Sequence, residues 1–187
     1  MSILALTSDT LIGTPATGNI EYNGQFFGTD SNASRAQLQR IVRATAVAST
    51  SGTSIDFTSL PAWCKKITVM FSGVSSAGSS DLLIQLGDAG GIENTGYSSS
   101  YTQTTTTGSS TSGLILAAAT SSDLWYGSVI ITSFGSNTWT SIGNLTNTGA
   151  VRISAGIKAT SDTLDRIRIT VPSSTFDAGS INIMYEG

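Results

Sequence analysis

From about residue 41 onward, apolar and polar residues alternate with a period of two. Ile67, Val69 and Phe71 fall on one side of a run in which Lys66, Thr68 and Met70 fall on the other. Leu82, Ile84 and Leu86 alternate in the same way with Leu83 and Gln85. So do Val151, Ile153 and Ile157 with Arg152, Ser154 and Lys158. Two more runs follow: Ile167, Ile169 and Val171 against Arg166, Arg168 and Thr170, then Ile181, Ile183 and Tyr185 against Asn182, Met184 and Glu186. Successive side chains of a strand point to opposite faces, so each run predicts a strand that buries its apolar side in an antiparallel sheet. Further strands are expected at 41–49, 54–58, 96–103, 113–118, 124–134 and 137–145. Turn signals separate them, among them Gly52, Pro61, Gly90-Gly91, Gly135-Ser136-Asn137 and Asn147-Thr148-Gly149. Many short strands at this spacing predict an all-β fold, an antiparallel β-sandwich or jelly roll. No internal repeat of roughly 20–50 residues is visible, which argues against a β-helix or a propeller.

The first forty residues read differently. Residues 1–19 are small and polar, with Pro15 resisting helix, and predict an extended arm. Ile20-Glu21-Tyr22 and Gln25-Phe26-Phe27 flank Asn23-Gly24, the strongest short-range hairpin signal. A lone hairpin is at best marginally stable, so Tyr22, Phe26 and Phe27 are expected to bury themselves against something else. Residues 31–43 are the one place where a helix is expected, capped by Ser31 or Asn32 with Leu38, Ile41 and Val42 at helical spacing. The alternative is an irregular linker. The chain therefore divides into residues 1–40, a docking and oligomerising segment carried by Tyr22, Phe26, Phe27, Leu38 and Ile41, and residues 41–187, the β-domain.

Composition narrows the function. Of 187 residues, 11% are charged and 39% hydrophobic, against a usual charged share of about 25%. Serine and threonine hydroxyls supply the polar surface, which favours strands and turns over helices. The net charge of −3 gives no electrostatic grip on nucleic acid. No histidine is present, which excludes His-based triads, His metal sites and a His switch. Cys64 is the single cysteine, so one chain forms no disulfide and no cysteine-based zinc site. It is expected to be buried and inert beside Trp63. The N-terminus lacks the pattern of a signal peptide, and no segment approaches the roughly 20 apolar residues that span a bilayer. The sequons at Asn32 and Asn144 are read as chance. The stretch 98–113 is low in complexity and is expected to form a strand edge and a mobile surface loop.

Acidic residues are the only candidates for catalysis. Asp88 and Glu93 flank a Gly-Gly turn, and Asp162 and Asp165 share another loop. A glycosidase needs two carboxylates about 5–10 Å apart across a sugar cleft. Nothing in the pattern supplies that cleft, so these residues are expected to cap turns and no catalytic site is assigned. Asp81, Asp88 and Glu93 could offer oxygens to Ca²⁺, but no spaced loop motif supports it. No metal and no cofactor are expected, and residues 87–91 lack the continuation of a phosphate loop. Tyr101, Trp125 and Trp139 lie on or near expected strands beside Asn, Asp and Ser, as in proteins that stack on sugars. They are candidate glycan contacts. The alternative places them in the core or in a subunit interface.

Two segments resemble bacteriophage virion proteins of the tail-fibre, head-fibre and decoration type. The first carries Pro15, Gly18, Glu21, Tyr22, Asn23, Gly24, Phe26, Phe27, Thr29, Ser34 and Arg35, with Phe27 where the pattern often has Tyr. The second spans residues 52–97 and is similar to a domain near the C-termini of phage fibre proteins. It carries Ser54-Ile55-Asp56-Phe57, Leu60-Pro61-Ala62-Trp63, Lys66-Ile67-Thr68-Val69, Gln85-Leu86-Gly87-Asp88 and Thr95-Gly96-Tyr97. In physical terms, Leu60-Pro61-Ala62-Trp63 is a turn that tucks an indole at the end of a sandwich. The resemblance implies a non-enzymatic structural protein on the phage particle surface. It would be a homotrimer docked by its N-terminal arm to other virion proteins of tail or capsid. A host-surface glycan would be a further contact, with no nucleic acid partner and no membrane insertion.

Overall fold

The computed structural model describes residues 16–22, 26–32, 34–103, 106–147 and 149–187. The chain divides into two compact units, Met1–Arg40 and Ile41–Gly187. The described secondary structure is entirely strand and turn.

In the first unit, β1 (Ile20–Tyr22), β2 (Phe26–Thr29) and β3 (Arg35–Gln37) form a three-stranded antiparallel sheet in that order. The expected hairpin is its first half, with Tyr22 opposite Phe26. Its turn residues 23–25, and the arm up to residue 15, lie outside the described residues. The third strand replaces the helix expected over 31–43. A short helix is marginal without partners, whereas Phe27, Gly28 and Thr29 offer a free edge to Gln37, Ala36 and Arg35. The remainder of that stretch becomes β4 (Ile41–Arg43) in the second unit, paired with residues 184–186.

The second unit is an antiparallel β-sandwich. Its larger sheet has nine strands. Eight of them run β11 (Thr106–Ser110), β10 (Tyr97–Gln103), β15 (Ala150–Ala159), β14 (Thr138–Asn147), β13 (Trp125–Gly135), β7 (Lys66–Ser76), β17 (Phe176–Glu186) and β4. The ninth, β5 (Val47–Ala48), also pairs with β17. The smaller sheet runs β12 (Leu114–Ala119), β8 (Ser80–Asp88), β16 (Arg166–Thr170) and β6 (Ser54–Phe57), with β9 (Gly91–Ile92) on β8. The core lies between the sheets. Ile67, Val69, Val129, Ile131, Ile181 and Ile183 of the larger sheet meet Ile55, Ile84, Leu86, Leu114, Ile167 and Ile169 of the smaller one. Most of the expected alternation is therefore realised with its apolar side inward.

Two stretches depart from expectation. The strand expected at 96–103 is present as β10, but part of the surface loop expected after it is a second strand: β10 and β11 form a hairpin with Tyr101 opposite Gly108. Its tip, residues 104 and 105, lies outside the described residues. The following turn crosses the outside of β8, where Gln85 Nε2 donates to the Ser112 carbonyl at 2.8 Å. That turn covers Gln85, while Leu83, which also points away from the core, is buried in a small second cluster with Tyr101 and Ile115.

The second departure is β15, which is inverted. Val151, Ile153 and Ile157 point outward and are 61%, 52% and 43% exposed, while Ser154 and Lys158 are buried. At Gly156 neighbouring β10 and the smaller sheet close in so tightly that a Cβ would stand 2.6 Å from Ser99 and 2.8 Å from Leu114. The inward polar side chains are held by partners elsewhere in the chain. The Arg152 guanidinium lies 4.3 Å from the centre of the Trp125 ring, and its Nε donates to Gln103 Oε1 at 2.7 Å. Lys158 forms an ion pair with Glu93 and sits over the Tyr97 ring.

Candidate functional site

Three places bear on function: the small N-terminal sheet, a polar cluster at one end of the sandwich, and the outward face of the larger sheet.

In the N-terminal sheet the rings of Tyr22 and Phe26 pack at 5.0 Å. Glu21 and Arg35 form an ion pair at 2.6 Å that links the outer strands across β2. Three short strands bury little apolar surface, and the exposures follow. Ile20 is 71% exposed, Phe26 45% and Leu38 49%, with Tyr22 and Phe27 half-buried. Of the five docking candidates, four therefore belong to this unit. The fifth, Ile41, is an exposed residue at the start of the sandwich unit.

The polar cluster gathers the acidic candidates Asp88 and Glu93 with Lys158, Ser161 and Tyr97. Ser161 Oγ donates to Asp88 Oδ2 at 2.6 Å and its backbone N–H donates to Glu93 Oε1 at 2.6 Å. Gly90 N–H donates to Asp88 Oδ1 at 2.8 Å, closing the turn that precedes β9. The Ser161 hydroxyl bond, then the Gly90 bond, hold the Asp88 carboxyl below its usual range. For Glu93, burial pushes upward but is outweighed by hydrogen bonds from Lys158 and Ser161, so its pKa is also lowered. Tyr97 accepts from Leu86 N–H at 2.7 Å and donates to the Glu93 carbonyl at 2.8 Å. Its burial pushes the phenol pKa strongly upward. Each carboxylate is thus occupied in tying the 88–93 turn to the 158–161 strand end. Asp162 and Asp165 also serve their own loop: Asp162 Oδ1 accepts from Thr163 N–H, and Asp165 pairs with Arg166. Among the described residues no three metal-ligating side chains cluster. Cys64 is buried, and that burial raises its thiol pKa.

The three glycan candidates do not form an open stacking surface. Tyr101, Trp125 and Trp139 are 5%, 1% and 5% exposed. They lie on inward positions of β10, β13 and β14, the first two beneath Arg152. An aromatic at an inward position of a sandwich buries its ring by default, and period-two alternation does not label which side is inward. Trp139 does border a hollow of about 210 Å³ at the end of the sandwich, lined also by Lys65, Ser136, Asn137 and Leu164. Ser136 and Asn137 have φ of 47° and 58°, as a two-residue hairpin turn of type I′ requires.

The outward face of the larger sheet is the feature that sequence reasoning missed. Register places Ser98, Ser100 and Thr102 of β10 beside Ile157, Ala155 and Ile153 of β15. Those lie beside Thr140, Ile142 and Asn144 of β14, and then Thr132, Ile130 and Ser128 of β13. No outward position of these four strands holds a charged residue. Ile142 is 56% exposed, and Tyr126 on the same face 45%. A shallow hollow of about 240 Å³ between Thr102, Thr107, Ile153 and Ala155 marks this face. Comparisons with protein-family models, with curated proteins and with solved structures find no match.

Proposed function

We propose that this chain is a non-enzymatic structural protein of a bacteriophage virion. It is a homotrimeric fibre or tail-fibre-like appendage on the particle surface, docked by its N-terminal segment to tail or capsid proteins. The sandwich, jelly-roll-like in the resemblance, is the projecting part. A capsid decoration protein or head fibre is the same reading with a different docking partner.

The observation that carries the proposal is the uncharged outward face of the larger sheet, where exposed isoleucines stand among Ser and Thr hydroxyls. Ile142, Val151 and Ile153 each leave more than half of their surface open in the single chain. Several large apolar side chains exposed together on a face without charge mark an interaction site, and assembly is what a structural protein does with one. The small N-terminal unit adds support, with Ile20, Phe26 and Leu38 exposed on a sheet too small to bury them. The acidic residues are engaged in turn-closing bonds, which fits a role without catalysis.

The test is deletion of residues 1–40, which removes the first unit whole. The truncated chain is expected to keep its far-ultraviolet circular dichroism β signal and to fail to enter assembled particles. Incorporation of the truncated chain would refute docking by this segment. An image of the particle with the chain labelled separates tail from capsid.

A second reading, recognition of a host-surface glycan, is favoured only by the hollow beside Trp139 with its Lys65, Ser136 and Asn137 lining. In that case Asn137→Ala weakens adsorption to cells while leaving the assembly intact.

A further inference from the structure

We infer that the outward face of β10, β15, β14 and β13 is where copies of this chain meet one another. This rests on the reading that the chain works as an assembly, and it names the surface that makes it.

Charge is the first argument. A partner that presents ionised groups would leave them desolvated against this face, because the four strands offer no counter-charge. A second copy brings the same side chains: isoleucines and valine for apolar contact, and Ser and Thr hydroxyls that donate and accept alike. It meets neither like-charge repulsion nor a buried unpaired ion.

Area is the second. Four strands about 4.8 Å apart, seven, ten, ten and eleven residues long at roughly 3.4 Å per residue, cover on the order of 600 Å². A stable interface takes roughly 800 Å² from each partner, and side chains standing on a pleated sheet enlarge the projected figure. The projected patch is about three quarters of that figure, and its side-chain relief supplies further surface for a second copy. The hollow beside Ile153 and Ala155 gives the face relief that a side chain of a facing copy can enter. The third argument is the inversion of β15. Arg152 and Lys158 are taken inward by Trp125 and Glu93, which leaves Val151, Ile153 and Ile157 to be covered from outside.

The experiment uses the full chain. Light scattering and sedimentation velocity give its mass, and Ile142→Glu with Ile153→Glu introduces two carboxylates into the face. Both isoleucines are more than half exposed, so the sandwich core is untouched. The wild type is expected to run as a multiple of 19.3 kDa and the double variant at 19.3 kDa, with unchanged circular dichroism. Self-association should weaken at least about 100-fold. A variant that keeps the wild-type mass overturns this inference while the assembly reading stands. A wild type at 19.3 kDa at high concentration overturns both. A two-chain mass keeps the face and replaces the trimer by a two-fold pair. Hydroxyl-radical footprinting of the unmodified chain needs no variant: Ile142, Ile153 and Ile157 should be protected on concentration, and equal labelling at all concentrations overturns the inference.

Discussion

On the smaller sheet, outward Arg168 of β16 meets outward Asp56 of β6 in a two-pronged ion pair, both bonds at 2.7 Å. On the larger sheet, the outward positions of β15 and β14 hold Ile153, Ile157 and Ile142 with no charge among them. The two faces belong to one sandwich and share one core, yet only the first looks like a surface that ends in water. The lesson is that a sheet's outer face reports its surroundings. Charged pairs keep a face hydrated, whereas isoleucines and hydroxyls leave it fit to be covered.

The comparison can be broken in several ways. The largest effect should come from beneath both faces. Trp125→Ala or Ile167→Ala, each buried between the sheets, should lower the unfolding free energy by about 2–5 kcal/mol in denaturant titrations. A loss under 1 kcal/mol would mean that the shared core is not where stability lies. Next, Lys158→Ala should cost about 2 kcal/mol, because Glu93 loses the cation that compensates its partial burial. An unaltered stability would argue against the inward turn of β15. Third comes Arg168→Ala on the hydrated face. Its pair with Asp56 is over a third exposed on both sides, so melting should show a cost below about 1 kcal/mol. Its assembly mass should match the wild type, and a change in that mass would blur the distinction between the faces.

The smallest effect concerns pH. Asp88 and Glu93 both have pKa values lowered in the folded chain. Their stabilisation is complete above the ordinary carboxylate range near about 4 and fades as pH falls through the lower folded values. Ser161→Ala removes the hydroxyl bond to Asp88 and should therefore flatten the acid limb of a stability–pH curve, leaving neutral pH least altered in slope. An acid limb of unchanged steepness would show that Ser161 does not set it.

How much of this was legible in the sequence depends on the distance between partners. Strands such as 167–171 and 181–185 could be read because alternation is local and their apolar side happens to face the core. The helix expected over 31–43 was misread because Leu38 and Ile41 fit helical spacing, while the edges that claimed their neighbours lie in β2 and β17. In the Ser- and Thr-rich stretch 98–113 the first strand is legible, but low complexity hides the return strand β11 that completes the hairpin. Tyr101, Trp125 and Trp139 were visible as notable aromatics, but their burial was not, since it follows from which side of each strand turns inward.

By itself the sequence determined the period of each strand, the positions of the turns and the absence of histidine-based chemistry, all of which are properties of neighbouring residues or of composition. Only the tertiary structure decided the sides. In β15 the alternation is equally compatible with isoleucines in or out, because a strand has two faces and its period names neither. The choice was made by Glu93, Trp125 and Leu114, remote in the chain, which accept Lys158 and Arg152 and crowd Gly156. That choice turned Val151, Ile153 and Ile157 outward and created the face on which the proposed assembly rests.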